Sequence, residues 1–131
     1  MKMFNNEKPL YLQLREEIEK AIISGAAEEG KAIPSIRTLS QQYKLNPQTV
    51  SNALSELASD GIITKKRGIG FFVNENAGEV LKMKRTKEFK ENELYNVLTK
   101  GKTLGMSKDE IKEQVERVYK NTGESYELLG N

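Results

Sequence analysis

A reacting site needs side chains that attack, relay protons or hold a metal, and this chain has few of them. Histidine and cysteine are both absent, which removes imidazole bases, thiolate nucleophiles, disulfides and every zinc site built from Cys or His ligands. Neighbouring carboxylates occur at Glu16-Glu17, Glu28-Glu29 and Asp109-Glu110. Adjacent helical residues diverge by about 100°, so these pairs do not converge on one substrate atom and read as solvated. Gly68-Ile69-Gly70 lacks the third glycine of a dinucleotide fingerprint, and it follows a hairpin strand instead of a strand that enters a helix. No catalytic residue, metal or cofactor is therefore expected. The remaining chemistry is that of contact. Lys65-Lys66-Arg67 puts three cations in a row beside a glycine, where long side chains can reach phosphates or a minor groove without burying charge.

Composition sets the scale on which such contacts must work. The chain has 131 residues, 37% hydrophobic and 31% charged, with a net charge of +2. That is the size of one domain, or of a small core with an appendage, under a heavily solvated surface. A balance of +2 is too small to attract nucleic acid by itself, so any basic footprint has to be local. No run approaches the roughly 18 to 20 apolar residues of a membrane span. The start, Met1-Lys2-Met3-Phe4-Asn5-Asn6, lacks the apolar stretch of a signal peptide. A cytoplasmic location without membrane contact is expected.

The elements that would position the contacts follow from periodicity. Pro9 suits a first helical turn, and Tyr11, Leu14, Ile18, Ala21 and Ile22 recur at helical spacing up to Ser24. Gly25 then offers a left-handed end, and Glu28 to Lys31 read as loop. Pro34-Ser35 opens a second helix, capped by Ser35 and carrying Ile36, Leu39 and Tyr43 on one face as far as Lys44. Asn46 and Pro47 suit the N-cap and N1 positions of a third, in which Val50, Ala53, Leu54 and Leu57 form the apolar stripe. Gln48, Thr49, Ser51, Asn52 and Ser55 point elsewhere, and Asp60-Gly61 closes the helix. Two helices joined by about three residues, the second with a polar and uncharged outer face near its start, make a helix-turn-helix. Ile62 to Thr64 and Phe71 to Val73 are β-prone around the turn Lys65 to Gly70, which reads as a two-stranded wing with the cations at its tip. The fold class is therefore mainly α with a small β-hairpin: a winged helix-turn-helix plus C-terminal helices.

These segments also resemble the DNA-binding domain of GntR-type bacterial regulators. The resemblance runs through Pro9-Leu10-Tyr11-Leu12-Gln13-Leu14, Ser24-Gly25, Ile33-Pro34-Ser35-Ile36-Arg37-Thr38-Leu39-Ser40, Asn46-Pro47-Gln48-Thr49-Val50, Ala53-Leu54-Ser55-Glu56-Leu57, Gly61-Ile62-Ile63 and Gly68-Ile69-Gly70-Phe71-Phe72-Val73. It implies that Arg37 contacts DNA near the start of the second helix, that Asn46, Gln48, Thr49 and Ser51 are recognition-helix contacts, and that Arg67 and Gly68 belong to the wing. The cap before Arg37, the polar outer face and the cation run add Ser35, Asn52, Lys65 and Lys66 as candidate DNA contacts. Asn46 is claimed twice, as cap and as base reader, and one side chain does not easily serve both. Many members carry arginines where Pro47 and Ser51 stand here, so part of the direct guanine readout is expected to be missing. Asn-Pro at this turn resembles the YtrA-like branch, whose members have a short helical tail.

Beyond Asn74-Glu75-Asn76 the sequence turns to charged helix. The domain division is expected there, with 1–76 as DNA-binding domain and 77–131 as a helical tail for dimerisation and effector sensing. Val80, Leu81, Phe89, Leu94, Val97 and Leu98 fit one helix from about Ala77 to Thr103, with Gly101 and Gly105 as terminators. Ser107-Lys108-Asp109-Glu110 is a capping box, and Ile111, Val115, Val118 and Tyr119 repeat up to about Asn121. Gly123 to Asn131 are expected to fray or dock weakly. The stripe Ile111, Val115, Val118 serves either an internal core or a dimer seam. Two such helices cannot enclose their own apolar faces, so a homodimer through the C-terminal helices is expected, binding a palindromic double-stranded DNA operator as a repressor. So short a tail leaves room for an unidentified small-molecule effector chiefly between subunits. The rival reading is a winged-helix module that binds protein and not DNA.

Overall fold

The computed structural model describes residues 4–121. Among them the chain separates into two compact units, with the division between Arg85 and Thr86.

In the N-terminal unit, α1 runs Leu10–Ser24 with Pro9 at its N-cap. Pro9 sits just outside the helix, its carbonyl accepting from the Leu12 and Gln13 amides at 3.1 and 3.3 Å. Gly25 takes the left-handed conformation at φ 86° and donates to the Ile22 carbonyl, which is why glycine ends this helix. α2, Ile36–Tyr43, is capped by Ser35, whose side chain accepts from the Thr38 amide at 3.1 Å. Three residues, Lys44 to Asn46, lead into α3, Pro47–Ser59. Lys44 makes this turn possible at some cost, because a side-chain residue holds the left-handed φ of 54° there.

The hairpin follows as β1, Ile63–Lys66, and β2, Gly70–Val73, paired antiparallel with Ile63 opposite Val73 and Lys66 opposite Gly70. Lys65 and Lys66 lie within β1, so the turn is shorter than the expected Lys65 to Gly70, and the Ile69 amide closes it on the Lys66 carbonyl at 2.9 Å. The other edge of β2 is covered by the segment read as loop. Ala32 bridges Phe72, and the Ile33 and Val73 amides donate to the Phe71 and Lys31 carbonyls, each at 2.9 Å. Covering that edge removes a row of open backbone groups.

Leu14, Ile18 and Ile22 of α1, Leu39 of α2, Val50, Ala53, Leu54 and Leu57 of α3, and Ile62, Ile63, Phe71 and Val73 of the wing share one core. The first half of α4, which spans Ala77–Phe89, adds Ala77 and Leu81 to it. Every residue of the apolar stripe predicted on α3 is fully buried. These helices form because burying one face repays ordering the chain.

In the C-terminal unit the single helix expected up to Thr103 is interrupted. A five-residue π turn, Lys90–Leu94, separates α4 from α5, Tyr95–Thr103. A π turn bonds i to i+5, so Phe89 and Leu94, five apart, come to one face. Gly101 does not end the helix. It lies buried inside α5, where an added Cβ would stand 3.2 Å from Ile111 Cδ1. The terminator is Gly105, at φ 93°. α6, Lys108–Lys120, opens with the predicted capping box, the Ser107 side chain accepting from the Glu110 amide at 3.1 Å and Glu110 accepting from the Ser107 amide at 2.9 Å. The stripe on α6 divides: Ile111 packs on Gly101, whereas Val115 and Val118 are exposed. The expected behaviour of Gly123 to Asn131 lies outside the described residues.

Candidate nucleic-acid interface

α3 is pinned from within, and that fixes what it turns outward. With Val50, Ala53, Leu54 and Leu57 buried, a helix of 3.6 residues per turn places Gln48, Asn52, Ser55 and Ser59 on the opposite side. Gln48, Asn52 and Ser55 are exposed, and Thr49 and Ser51 are half-buried at the flanks. Gln48 Nε2 donates to Asn52 Oδ1 at 3.0 Å, one turn further on, so the two amides are held together. This face carries no charge until Glu56, and it therefore presents donors and acceptors with no carboxylate to repel a phosphate.

The caps at the two helix starts are built from site residues. Asn46 Oδ1 accepts from the Gln48 amide at 2.8 Å, so its oxygen is engaged at the N-cap in the manner its sequence position suggests. Ser35 Oγ, besides capping α2, donates to Thr38 Oγ1 at 3.0 Å. Arg37, in the first turn of α2, is exposed. Positive helix starts with exposed donors suit anionic groups.

On the wing, Lys65, Lys66, Arg67 and Gly68 are all exposed. Lys66 Nζ stands 4.2 Å from the Phe72 ring centroid, and Lys65 Nζ stands 5.9 Å from that of Phe71. Each lysine thus sets its ammonium over the face of an aromatic ring, within reach of a cation-π attraction, while the side chain stays exposed. Gly68, at φ 77°, supplies the left-handed turn residue between the cations and β2. The base of the hairpin is tied by Asn74, which accepts from Thr64 Oγ1 at 2.6 Å and donates to the Gly61 carbonyl at 2.7 Å.

One set of residues behind this surface had no counterpart in the reading of the sequence. Arg15 is buried on α1. Its guanidinium donates to Glu19 Oε2 at 2.9 Å, to Glu56 Oε1 at 2.8 Å and to Asp60 Oδ2. Glu19, also buried, accepts a second guanidinium, that of Arg85 on α4, at 2.9 Å from Nε. Lys84 of α4 lies 3.5 Å from Asp60. Burial works against the Arg15 charge, but hydrogen bonds to Glu19, Asp60 and Glu56 outweigh it and hold the guanidinium above its ordinary value. The hydrogen bond from Arg15, opposed by burial and aided by the charges of Arg15 and Lys84, holds the Asp60 carboxyl below the usual range. The signal for this network was thin: an Arg and a Glu one turn apart, beside the apolar stripe of α1.

Among the described residues no group of acidic side chains could hold a metal ion, and no helix is long and apolar enough to cross a membrane. A helix-turn-helix with an uncharged polar outer face, followed by a hairpin tipped with cations, defines the winged helix-turn-helix class of DNA-binding domain.

Comparison with known proteins narrows the class. The family described as "Bacterial regulatory proteins, gntR family" matches residues 10–73. The chain is 34% identical over 114 residues to the "Uncharacterized HTH-type transcriptional regulator YhcF" of Bacillus subtilis, covering 86% of this chain and 91% of that protein. It is 37% identical over 73 residues to the "HTH-type transcriptional repressor YtrA" of the same organism, covering 56% of each. Among solved structures, a GntR family transcriptional regulator from Listeria monocytogenes superposes with a TM-score of 0.75 at 31% identity, over 88% of this chain and 99% of that one. The DNA-binding domain of AraR, in complex with an operator, superposes at 0.52 and 30% identity, over 54% of this chain and 92% of that one. This chain belongs to the GntR family and is a DNA-binding transcriptional regulator. That membership also agrees with the expectation that it is not an enzyme.

Proposed function

We propose that the protein is a cytoplasmic repressor that binds a palindromic operator as a homodimer, with residues 1–76 as DNA-binding domain and 77–131 as dimerisation tail. The observation that carries the DNA side is the outer face of α3, neutral and polar through its first two turns, in a chain whose wing adds three exposed cations. Gln48, Thr49, Ser51 and Asn52 read base edges in this account, the two amides being suited to bidentate contact with adenine. Asn46 sets the start of the helix and approaches the backbone. Ser35 and Arg37 hold phosphates at the start of α2, and Lys65, Lys66, Arg67 and Gly68 grip the flanking groove. That AraR was solved on an operator and that YtrA is named a repressor support the partner and the direction of control.

The pairing of two chains is supported by the C-terminal unit. Phe89, Leu94, Val97, Leu98, Val115 and Val118, spread over the end of α4, the π turn, α5 and α6, are exposed there, and apolar side chains in such number are best buried against the same surface of a second copy. A small-molecule effector acts, in this account, by changing the spacing of the two α3 helices.

Titration of a random-sequence duplex at several salt concentrations tests the reading against a protein-binding winged helix. A regulator binds with a log-log salt slope of about −0.9 per phosphate neutralised. A protein-interaction module shows no such binding even at low salt, and that result would end the regulator account.

A further inference from the structure

We propose that Lys84 and Arg85 of α4 are positioning residues for DNA recognition, acting on α3 through the carboxylates at its C-terminal end. The inference rests on the DNA-binding reading and extends it to residues far from the base-reading end, since Gln48 and Asp60 are separated by ~18 Å along the helix at 1.5 Å per residue.

The geometry provides two routes. Lys84 Nζ meets Asp60 Oδ2 directly at 3.5 Å. Arg85 works through a relay: its guanidinium holds Glu19, with Nε 2.9 Å from Oε1, and Glu19 holds Arg15 at 2.9 Å. Arg15 in turn grips Glu56 at 2.8 Å, and also Asp60. Glu56 and Asp60 stand at the C-terminal end of α3, where the helix dipole disfavours carboxylates. They are held there by cations from α1 and α4 and not by α3 itself.

The apolar stripe of α3 prevents the helix from leaving the core but leaves its rotation and tilt less firmly set, because dispersion contacts have little directionality. Guanidinium-carboxylate bonds do have it. The network is thus the element that fixes the angle at which Gln48 and Asn52 are presented. Arg85 and Lys84 are its outermost members, with side chains 36% and 44% exposed, and Glu19 and Asp60 both keep Arg15 when they are removed, so no buried charge is left unpaired. Removing them should therefore change recognition more than folding.

The test uses the full chain, a duplex selected by the protein from a random pool, and a random-sequence duplex at the same salt. Affinities for both are measured for the unsubstituted protein, K84A/R85A, K84R/R85K and E19Q, alongside thermal midpoints. For K84A/R85A the expected result is a fall of about ten-fold in the ratio of selected to random affinity, with a midpoint lowered by only a few degrees. The conservative K84R/R85K recovers most of the ratio. E19Q raises the net charge by one and would tighten binding to both duplexes if charge alone mattered; positioning predicts a lower ratio instead. If E19Q does not fold, the lysine-arginine pair still decides. An unchanged ratio in K84A/R85A overturns the proposal, whether both affinities hold or both fall together as for simple phosphate contacts. Failure of the unsubstituted protein to bind either duplex would instead remove the regulator reading on which the proposal stands.

Discussion

Arg15 Nε and Glu19 Oε2 meet at 2.9 Å inside the N-terminal unit, the side chains only 8% and 5% exposed. An ion pair so placed is dangerous to break and cheap to replace, because a lone buried charge keeps its desolvation penalty without its partner. Arg15→Ala should destabilise the unit by about 3–5 kcal/mol, whereas Arg15→Met combined with Glu19→Leu should cost clearly less. Urea midpoints of the two variants check this. Small and similar losses in both variants would show that the pair behaves as a surface contact.

Asp60 makes the same network sensitive to acid. Its folded pKa lies below the ordinary carboxyl value of 3.8, so the unfolded chain takes up a proton first as pH falls. Its contribution is complete above about 3.8 and is lost as pH drops through the lower folded value. Denaturation midpoints of the protein and of Asp60→Asn should differ most at about pH 5 and draw together as pH falls below 3.8. A gap that stays constant over that range would show that Asp60 gains nothing from Arg15.

At Gly101, α5 meets Ile111 of α6. Alanine there would set its Cβ 3.2 Å from Ile111 Cδ1, the end of a flexible side chain that can yield. Because Gly inside a helix costs roughly 1 kcal/mol relative to Ala, Gly101→Ala should be neutral or mildly stabilising. Gly101→Leu should overfill the contact and lower stability by about 1–3 kcal/mol. Thermal melts of both variants separate close packing from the terminator role that sequence position alone suggests.

Much of the N-terminal unit was legible in the sequence because each local signal agreed with its neighbours. Ser35 and Asn46 cap the helices they precede, and Val50, Ala53, Leu54 and Leu57 are the residues of α3 that the core takes up. What stayed hidden depended on partners distant in sequence. Arg15 meets Glu56 and Asp60 more than forty residues away, and nothing in the periodicity of α1 marks a charged residue for burial. Likewise Ala32 bridges Phe72 by backbone alone, without the alternation that betrays a strand. Gly101 is ambiguous in the sequence because glycine signals a helix end and a close approach equally well, and only the position of Ile111 separates the two.

On the proposed interface, removing cations and removing amides should leave different signatures. Lys65→Ala, Lys66→Ala and Arg67→Ala together should weaken binding to all duplexes and flatten the salt slope by about 0.9 for every phosphate that is no longer neutralised. Gln48→Ala should instead relax preference at one base position, costing about 1–3 kcal/mol against the selected sequence only. Arg37→Ala should weaken operator binding without lowering the melting temperature. Fluorescence anisotropy with selected and random duplexes, over a range of salt concentrations, distinguishes these patterns; a Gln48 variant that loses affinity uniformly would lose its place among base readers.

If two copies of α3 read two halves of one operator, the DNA itself must carry the symmetry of the pair. Selecting bound sequences from a random duplex pool with the full chain is the decisive experiment. It should return an enriched inverted repeat, its half-sites separated by about one helical turn of 10–10.5 base pairs or a multiple of it. Recovery of a single unrepeated site, or no enrichment at all, would refute paired reading.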